Sequence, residues 1–452
     1  MYKKKQKQQV MMKKKTDKIL DQLENAGYKA YKVGGCVRDE LLNRENFDID
    51  ITTSALPEEI KEVFKDYKTI DIGAKFGTIK VLDGPDEYEI TTMRRESGYA
   101  DKRHPEKIAF TKDIKEDLKR RDFTINAMAK RNGEIIDIFD GKKDLESKII
   151  RAVGNPNERI REDVLRSLRA VRFASTLKFE IADDLKKSIK ENARSIDEIS
   201  KERIQVELNK ILLADDPKRG IMLLDEVGLL EYIFPEVFAT RGFDQHSSFH
   251  AENLYDHTLS VLEKTPAILE VRMAALYHDV GKIDTFFLDE NGEGRFFGHQ
   301  SLSEELLINR LKILKYSKKF IENTTILVKR HMDNTNTYTK KSVRKLLRNI
   351  GEENLLNLFK LQRADVMSTK HADDSNIDLG LALLKEIKND DIPTSKSQIK
   401  INGNDLKKLG FKEGKELGKA LNNIENLIYD EKLKNNKEDI INYIKSSLLN
   451  VD

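Results

Sequence analysis

A single cysteine, Cys36, stands in a chain of 452 residues. An internal disulfide is therefore excluded, and the composition fits a reducing, cytoplasmic setting. No apolar run approaches the roughly 18 residues that a membrane-spanning helix needs. Residues 1–15 are rich in lysine and glutamine and contain no hydrophobic stretch, so they read as a solvated basic tail rather than a secretory signal. Charge of one sign is not in excess either. Lysine and arginine total 81 against 78 aspartate and glutamate, a net charge of +3, so attraction for nucleic acid has to come from local basic patches. Histidine is scarce and unevenly placed: of 8, only His104 precedes His246. What remains is 38% hydrophobic and 35% charged, without a disorder signature over most of its length. Such a chain has room for roughly two to four domains, each with its own core.

One stretch organises the rest: Val33-Gly34-Gly35-Cys36-Val37-Arg38-Asp39, running on to Phe47-Asp48-Ile49-Asp50-Ile51. It predicts a strand, a glycine turn, a short helix and a second strand. On the second strand Phe47, Ile49 and Ile51 alternate with Asp48 and Asp50. A period of two sends the apolar side chains to one face and both carboxylates to the other. Two carboxylates beside a turn that presents backbone N–H groups suit a divalent cation holding a triphosphate. An edge strand with an acidic solvent face would alternate in the same way. Gly34 and Gly35 with Arg38 favour the cation, because they add a close-approach turn and a basic residue.

Helical periodicity begins near Thr16 and stops at Gly27, and strands and turns then dominate to about residue 150. Pro57 opens a short helix through Phe64. Strand patterns follow at Gly77–Leu82 and Glu87–Met93, joined by Asp83-Gly84-Pro85-Asp86. Glu89 alternates with Tyr88 and Ile90 and is a candidate third carboxylate, with a plain solvent-facing charge as the alternative. The polar stretch 95–107 predicts a mobile loop or surface excursion. Arg120-Arg121-Asp122-Phe123-Thr124-Ile125-Asn126-Ala127 comes next. Paired arginines suit phosphate oxygens, and Asp122 with Asn126 could hold sugar hydroxyls; a helix cap at Asp122 is the structural alternative.

From Pro156 the pattern is wholly helical. Asp163, Arg166, Arg169 and Arg172 recur every three residues, tracing a polar ribbon, while Val164, Leu165, Leu168 and Val171 would be buried. Helix-surface ion pairs from Glu162 or Asp163 to Arg166 would account for this ribbon. The sharper reading is a base-selecting edge. Cytosine and adenine both present an exocyclic amine beside an unprotonated ring nitrogen, whereas uracil and guanine show the opposite pattern. One accepting aspartate and one donating arginine would thus admit CTP and ATP and reject UTP and GTP without a template.

Four motifs, Gly34-Gly35-x-x-Arg38-Asp39, Asp48-x-Asp50, Arg120-Arg121-Asp122-x-Thr124-x-Asn126-Ala127 and Glu162-Asp163-x-x-Arg166, occur in this order. They resemble those of the bacterial class II CCA-adding enzymes, tRNA nucleotidyltransferases of the polymerase-β-like superfamily. The resemblance implies an α+β fold, with a mixed-sheet nucleotidyltransferase head over 16–150 and an all-α neck over 151–235 that carries the base-selecting helix. It implies that Asp48 and Asp50 bind catalytic Mg2+. Gly34, Gly35, Arg38, Arg120, Arg121, Asp122 and Asn126 would contact the nucleotide, and Asp163 and Arg166 would select the base with Arg169 and Arg172 nearby. The partners implied are CTP, ATP and the 3′ end and acceptor arm of tRNA.

Bacterial poly(A) polymerases share this head, but the segment Ile72-Gly73-Ala74-Lys75-Phe76-Gly77-Thr78 is similar to the CCA-adding pattern. The stretch Asn402-Gly403-Asn404-Asp405-Leu406, with Leu409-Gly410 and Leu417-Gly418-x-x-Leu421, resembles the tRNA-contacting tail, placed over 376–452. The lysine-rich run from Lys407 to Lys419 lies in it. The loop Glu96–Pro105 retains Asp101 and Arg103, which favours full CCA addition over CC-only or A-only addition.

His257, Tyr277-His278-Asp279-Val280-Gly281-Lys282 and Asp365 resemble the signature of HD metal-dependent phosphohydrolases, here over 236–375. Imidazoles and carboxylates from separate helices suit a Mn, Ni, Mg or Fe type of site, with His299 and His331 as further ligands or substrate contacts. Two rival expectations follow: an HD phosphohydrolase with an RNA-binding head, or a non-catalytic tRNA-binding protein.

Overall fold

The computed structural model describes residues 15–45, 48–73, 76–98, 107–246, 253–370, 372–389, 393, 398–429 and 432–448. Residues 1–14, Phe47, Ala74, Lys75, and the loop positions Asp101, Arg103 and His104 lie outside the described residues. The chain divides into two compact units, Met1–Pro235 and Glu236–Asp452.

The first unit is built on a seven-stranded mixed sheet. Its strands are β1 (Ala30–Val33), β2 (Ile49–Thr53), β3 (Lys68–Gly73), β4 (Thr78–Asp83) and β5 (Asp86–Thr92). A separate hairpin, β6 (Arg94–Ser97) with β7 (Lys107–Phe110), precedes the last two sheet strands, β8 (Met128–Arg131) and β9 (Glu134–Asp137). The spatial order is β3-β4-β5-β2-β1-β8-β9. Neighbours run antiparallel except β2 and β5, which are parallel. The strand, glycine turn, helix and strand expected over 33–51 are present as β1, the helix Gly35–Leu41 and β2. Strands β3, β8 and β9 were not expected, although Ile70 and Ile72 of β3 alternate with Thr69 and Asp71.

The apolar face of β2 and β5 explains the order. Ile51, Tyr88 and Ile90 are fully buried with Ile79 and Val81 of β4, and Ile19, Leu20 and Leu23 of the helix at 15–25 cover them. Each such side chain taken from water contributes about 1.5–3 kcal/mol, so a one-residue slip of β2 would forfeit most of this cluster. The alternation therefore holds the opposite face of β2, with its aspartates, outside the core.

Helices follow, though not exclusively. Ile149–Ile150 pairs in parallel with Glu180–Ile181, and Phe287–Leu288 pairs antiparallel with Gly294–Arg295, which corrects the expectation of an all-helical remainder. The expected polar ribbon is also interrupted. Helix Pro156–Glu162, entered through Pro156 and capped by Asn155, stops at Asp163, whose φ of −148° and ψ of 101° are extended. A new helix runs over Leu165–Leu177. Asp163 thus sits in a break between two helices rather than on the ribbon of Arg166, Arg169 and Arg172.

The second unit has helices Leu254–Lys264, Leu269–Tyr277, His299–Ile313, Lys318–Arg330 and Lys340–Val366. The last bends at Gly351, whose φ is +78°. Nearer the C-terminus, helices Gly403–Lys408, Lys415–Tyr429 and Lys437–Tyr443 enclose a core of Leu406, Ile424, Ile428 and Ile440.

Candidate active site

The parallel register of β2 and β5 sets Asp50 beside Glu89 and Ile51 beside Ile90. Neighbouring strands lie about 4.8 Å apart, so Asp50 and Glu89 share one face of the sheet. Burial pushes the Asp50 carboxyl up to about 6; the Arg121 guanidinium opposes this, while the Glu89 and Asp48 carboxylates add to it. A buried carboxyl crowded by two others and resisting ionisation is what a divalent cation would relieve, and this all-oxygen donor set fits a hard divalent ion. Glu89 also lies 3.7 Å from Lys80, so part of its charge is already answered within the sheet.

Gly34 makes the approach possible. Its φ of +77° and ψ of −136° are accessible to glycine and costly for other residues. A Cβ there would stand 3.0 Å from Arg121 Nη1 and 3.6 Å from Asp50 Oδ2. Gly34→Ala is expected to cost about 1–3 kcal/mol in stability by crowding Arg121 and Asp50. Thermal melts check this, and an unchanged melting temperature would show that the turn tolerates a Cβ.

Arg120 and Arg121 are both held by Asp117, a fully buried carboxylate that the motif reading missed. Arg120 Nη2 donates to Asp117 Oδ1 at 2.9 Å, and Arg121 Nη2 lies 3.3 Å from Oδ2. Arg120 also reaches Glu96 of β6 at 3.3 Å. These arginines hold Asp117 in its ionised form despite burial. The three- and four-residue spacing from Asp117 to the arginine pair was a signal that could have found it.

Arg38 is buried and engaged: it donates to Asn126 Oδ1 at 2.7 Å and forks onto Asp39. Asp122 accepts from Arg169 at 2.6 Å and from Asn126 Nδ2 at 3.2 Å. Burial alone would raise Asp122, but Arg169 and Asn126 bring its carboxyl down to about 2. Arg38, Arg169 and Arg172 surround the Phe173 ring at 4.9, 5.5 and 4.1 Å. Arg172 also pairs with Glu207 at 2.9 Å. Phe173 and Glu207 are further residues that the motifs did not flag.

The Arg166 N–H donates to the Asp163 carbonyl at 2.9 Å, but among the described residues the two side chains turn to other partners. Arg166 Nη1 donates to Glu162 at 2.6 Å and to the Arg159 carbonyl at 2.9 Å, and Nη2 to the Arg120 carbonyl at 3.2 Å. Asp163 Oδ2 instead accepts from Arg203 at 2.7 Å, and Oδ1 accepts the Leu165 N–H at 3.1 Å. Arg203 lies on helix Lys201–Leu212, one turn before Glu207. Nothing near Asp163 in the sequence points to it.

In the second unit the four residues of the HD-like signature come together, with His299 and His331. His257 Nε2 is 3.1 Å from Asp365 Oδ1, and His278 Nε2 is 3.2 Å from Asp279 Oδ2. His299 Nε2 is 3.2 Å from Asp279 Oδ1. Burial would raise Asp279; His278 and Lys282 hold it well below the usual carboxylate range. Gly281 permits this closeness, since a Cβ there would fall 2.5 Å from the His299 carbonyl oxygen. Among the described residues two groups able to hold a metal ion result, His257/His278/Asp279 and Asp279/His299/His331. No described helix is long and apolar enough to cross a membrane.

Comparison with known proteins bears on both units. The Poly A polymerase head domain family matches residues 30–151. The probable RNA and SrmB-binding site of polymerase A matches 178–240, and the putative tRNA nucleotidyltransferase domain 2 matches 296–444. A CCA-adding enzyme of Ligilactobacillus salivarius is 37% identical over 445 residues, covering 96% of each chain. One from Pediococcus pentosaceus is 36% identical, covering 94% of this chain and 96% of that one. The match to the Limosilactobacillus reuteri enzyme is stronger but shorter: 54% over 215 residues, spanning 47% of this chain and about half, 53%, of that relative. Among solved structures, the Bacillus stearothermophilus CCA-adding enzyme in complex with CTP superposes with a TM-score of 0.75 at 29% identity. That likeness covers 96% of this chain and 97% of that one.

Proposed function

This chain belongs to the family of CCA-adding enzymes, and on that premise we propose that it adds C, C and A to the 3′ end of tRNA from CTP and ATP, without a template, in the cytoplasm. The observation that carries the reading is the convergence of Asp50, Glu89, Gly34 and Arg121 on one face of the sheet. A tRNA 3′-hydroxyl attacks the α-phosphate in line; the new O3′–P bond forms as the bond to pyrophosphate breaks, and the hydroxyl proton passes to solvent. Asp48 and Asp50 would hold Mg2+, which would supply Lewis acidity for the transfer. Arg121, steadied by Asp117, faces the phosphates across the Gly34 turn. Asn126, oriented by Arg38 and Asp122, is placed for the sugar. Asp163 and Arg166 read the base edge, and Arg203 holds Asp163 in position.

The test uses tRNAs ending at the discriminator base, at C or at CC, each given CTP or ATP alone. Full CCA addition predicts C incorporation into the first two and A only into the third. Long A tails on every substrate would indicate poly(A) synthesis instead, and a single permitted step would indicate CC-only or A-only addition.

A second chemistry is favoured by the convergence of His257, His278, Asp279 and Asp365 in the other unit. These side chains suit a Mn, Ni, Mg or Fe ion, as in HD-type phosphohydrolases acting on phosphomonoesters or cyclic phosphates. Lys282 and Arg295 line a cavity of about 760 Å3 beside them, which suits an anionic substrate. Phosphate release that survives loss of Asp48 and Asp50 but not of His278 and Asp279 would support this reading.

A further inference from the structure

Phe173 is almost fully buried, and three guanidiniums close around its ring. Arg172 lies 4.1 Å from the ring centroid, Arg38 4.9 Å and Arg169 5.5 Å. Arg169 precedes Phe173 by one helical turn on Leu165–Leu177, so local geometry brings those two together. Arg38 comes from a different helix, Gly35–Leu41. The Phe123 ring meets Phe173 edge-on at 5.8 Å. Cation–π contacts occur roughly once per 70–80 residues, so three on one ring mark a built feature. We infer that Phe173 is a positioning residue of the nucleotide site: its aromatic face fixes Arg38 and Arg169, and through them the Asn126 and Asp122 side chains that meet the sugar. The inference rests on the proposed placement of Asn126 at the sugar and adds what holds it there.

The contacts form a closed circuit. Arg38 Nη1 donates to Asn126 Oδ1 at 2.7 Å, and Asn126 Nδ2 donates to Asp122 Oδ1 at 3.2 Å. Arg169 donates to Asp122 Oδ2 from Nε at 2.8 Å and from Nη2 at 2.6 Å. Phe173 completes the circuit, since both arginines lie against its ring. A guanidinium only donates and a carboxylate only accepts, so the Asn126 amide has one orientation, oxygen to Arg38 and nitrogen to Asp122. Nδ2 carries a second hydrogen beyond the one given to Asp122, and a sugar hydroxyl oxygen can accept it.

Charge explains why the residue is aromatic. Three guanidiniums around one ring repel one another unless each is answered. Asp39 pairs with Arg38 at 2.8 Å, Asp122 with Arg169 at 2.6 Å and Glu207 with Arg172 at 2.9 Å. Burial still pulls the Arg172 guanidinium below its ordinary value; Glu207 opposes this, and Arg169 and Arg38 add to it. The acids neutralise the arginines from outside the cluster without holding them to a common centre. The negative face of the ring does so, because it attracts each cation toward itself. A leucine would fill similar space and offer no such face.

The experiment replaces Phe173 in the full chain by phenylalanines carrying increasing numbers of ring fluorines, inserted by nonsense suppression. Fluorine drains the ring face of negative charge while nearly keeping its shape. Single-nucleotide addition to tRNA ending in CC is measured with ATP, 2′-deoxyATP and 3′-deoxyATP, and kcat and KM are compared. The parent is expected to prefer ATP over at least one deoxy analogue. That preference is expected to fall stepwise with fluorine number, by about tenfold in all and through KM more than kcat. Phe173→Leu should lose as much, and Phe173→Tyr should keep the parent's preference. An unchanged preference across the fluorinated series, whatever the melting temperatures, overturns the inference and leaves the sugar reading standing. A parent that discriminates among none of the three triphosphates overturns both. The fluorinated series decides the matter even where Phe173→Leu or Phe173→Tyr fails to fold.

Discussion

Asp48→Ala combined with Asp50→Ala is expected to lower incorporation of labelled CTP and ATP into tRNA lacking its terminus by roughly 10^4-fold, with tRNA binding retained. Metal-assisted charge stabilisation is worth several kcal/mol, and each 1.4 kcal/mol is about a factor of ten. Retained incorporation in a filter or gel assay would refute the two-carboxylate assignment. The same site predicts a pH dependence. Asp50 sits at about 6 against an ordinary 3.8, so its folded pKa lies above its unfolded one. Between those values the folded state binds a proton that the unfolded chain has released, and stability falls as pH rises through that window. Binding of a divalent ion to the protein without nucleotide should weaken below about pH 6, as the proton competes with the cation for Asp50. The rise from 3.8 to about 6 corresponds to about 3 kcal/mol, reduced to the order of 1–2 kcal/mol because Asp50 is only partly buried. Without divalent ions, Asp50→Asn should therefore melt higher than the parent at pH 8 and no higher at pH 4.

The second large effect concerns base choice. Asp163→Ala is expected to relax rejection of UTP and GTP by about 10- to 100-fold, since one well-placed base contact is worth about 1–3 kcal/mol of discrimination. Single-nucleotide incorporation with each of the four triphosphates measures it. Uniformly slower use of CTP and ATP, with UTP and GTP still rejected, would move base selection away from Asp163. Arg203→Met should act in the same direction but mainly through KM for CTP and ATP, because Arg203 touches the aspartate and not the base. Arg203→Lys keeps the charge and is expected to recover part of the loss. A purely structural role for Arg203 would lower the melting temperature without altering the ratio between the four triphosphates.

Strand β2 and the side taken by its aspartate were legible in the sequence because period-two alternation is a local property. Ile49, Ile51, Tyr88 and Ile90 declare which face is buried, so the side taken by Asp50 and Glu89 follows. The glycine turn was legible for the same reason, since Gly34 has the backbone that only a residue without a Cβ adopts easily. The break at Asp163 was not. Three-residue spacing of Asp163, Arg166, Arg169 and Arg172 looks continuous on paper, and only the extended backbone of Asp163, held by Arg203 and the Leu165 N–H, interrupts it. The short strands at 149–150 and 180–181 escaped notice because two residues are too few to show a period.

The sequence by itself determined the residue types and their local order: carboxylates on one face of β2, arginines in a pair, histidine next to aspartate at 278–279. Those choices depend on neighbours two to four positions away, which periodicity and motif spacing report directly. Tertiary structure alone decided the partnerships. Arg203 rather than the Arg166 side chain holds Asp163, Arg38 answers Asn126, and the two oxygens of Asp279 turn to different histidines. The first two pairings join residues 40 and 88 positions apart. They are set by how buried faces stack, and a desolvated charge takes whichever opposite charge that packing brings within hydrogen-bond distance.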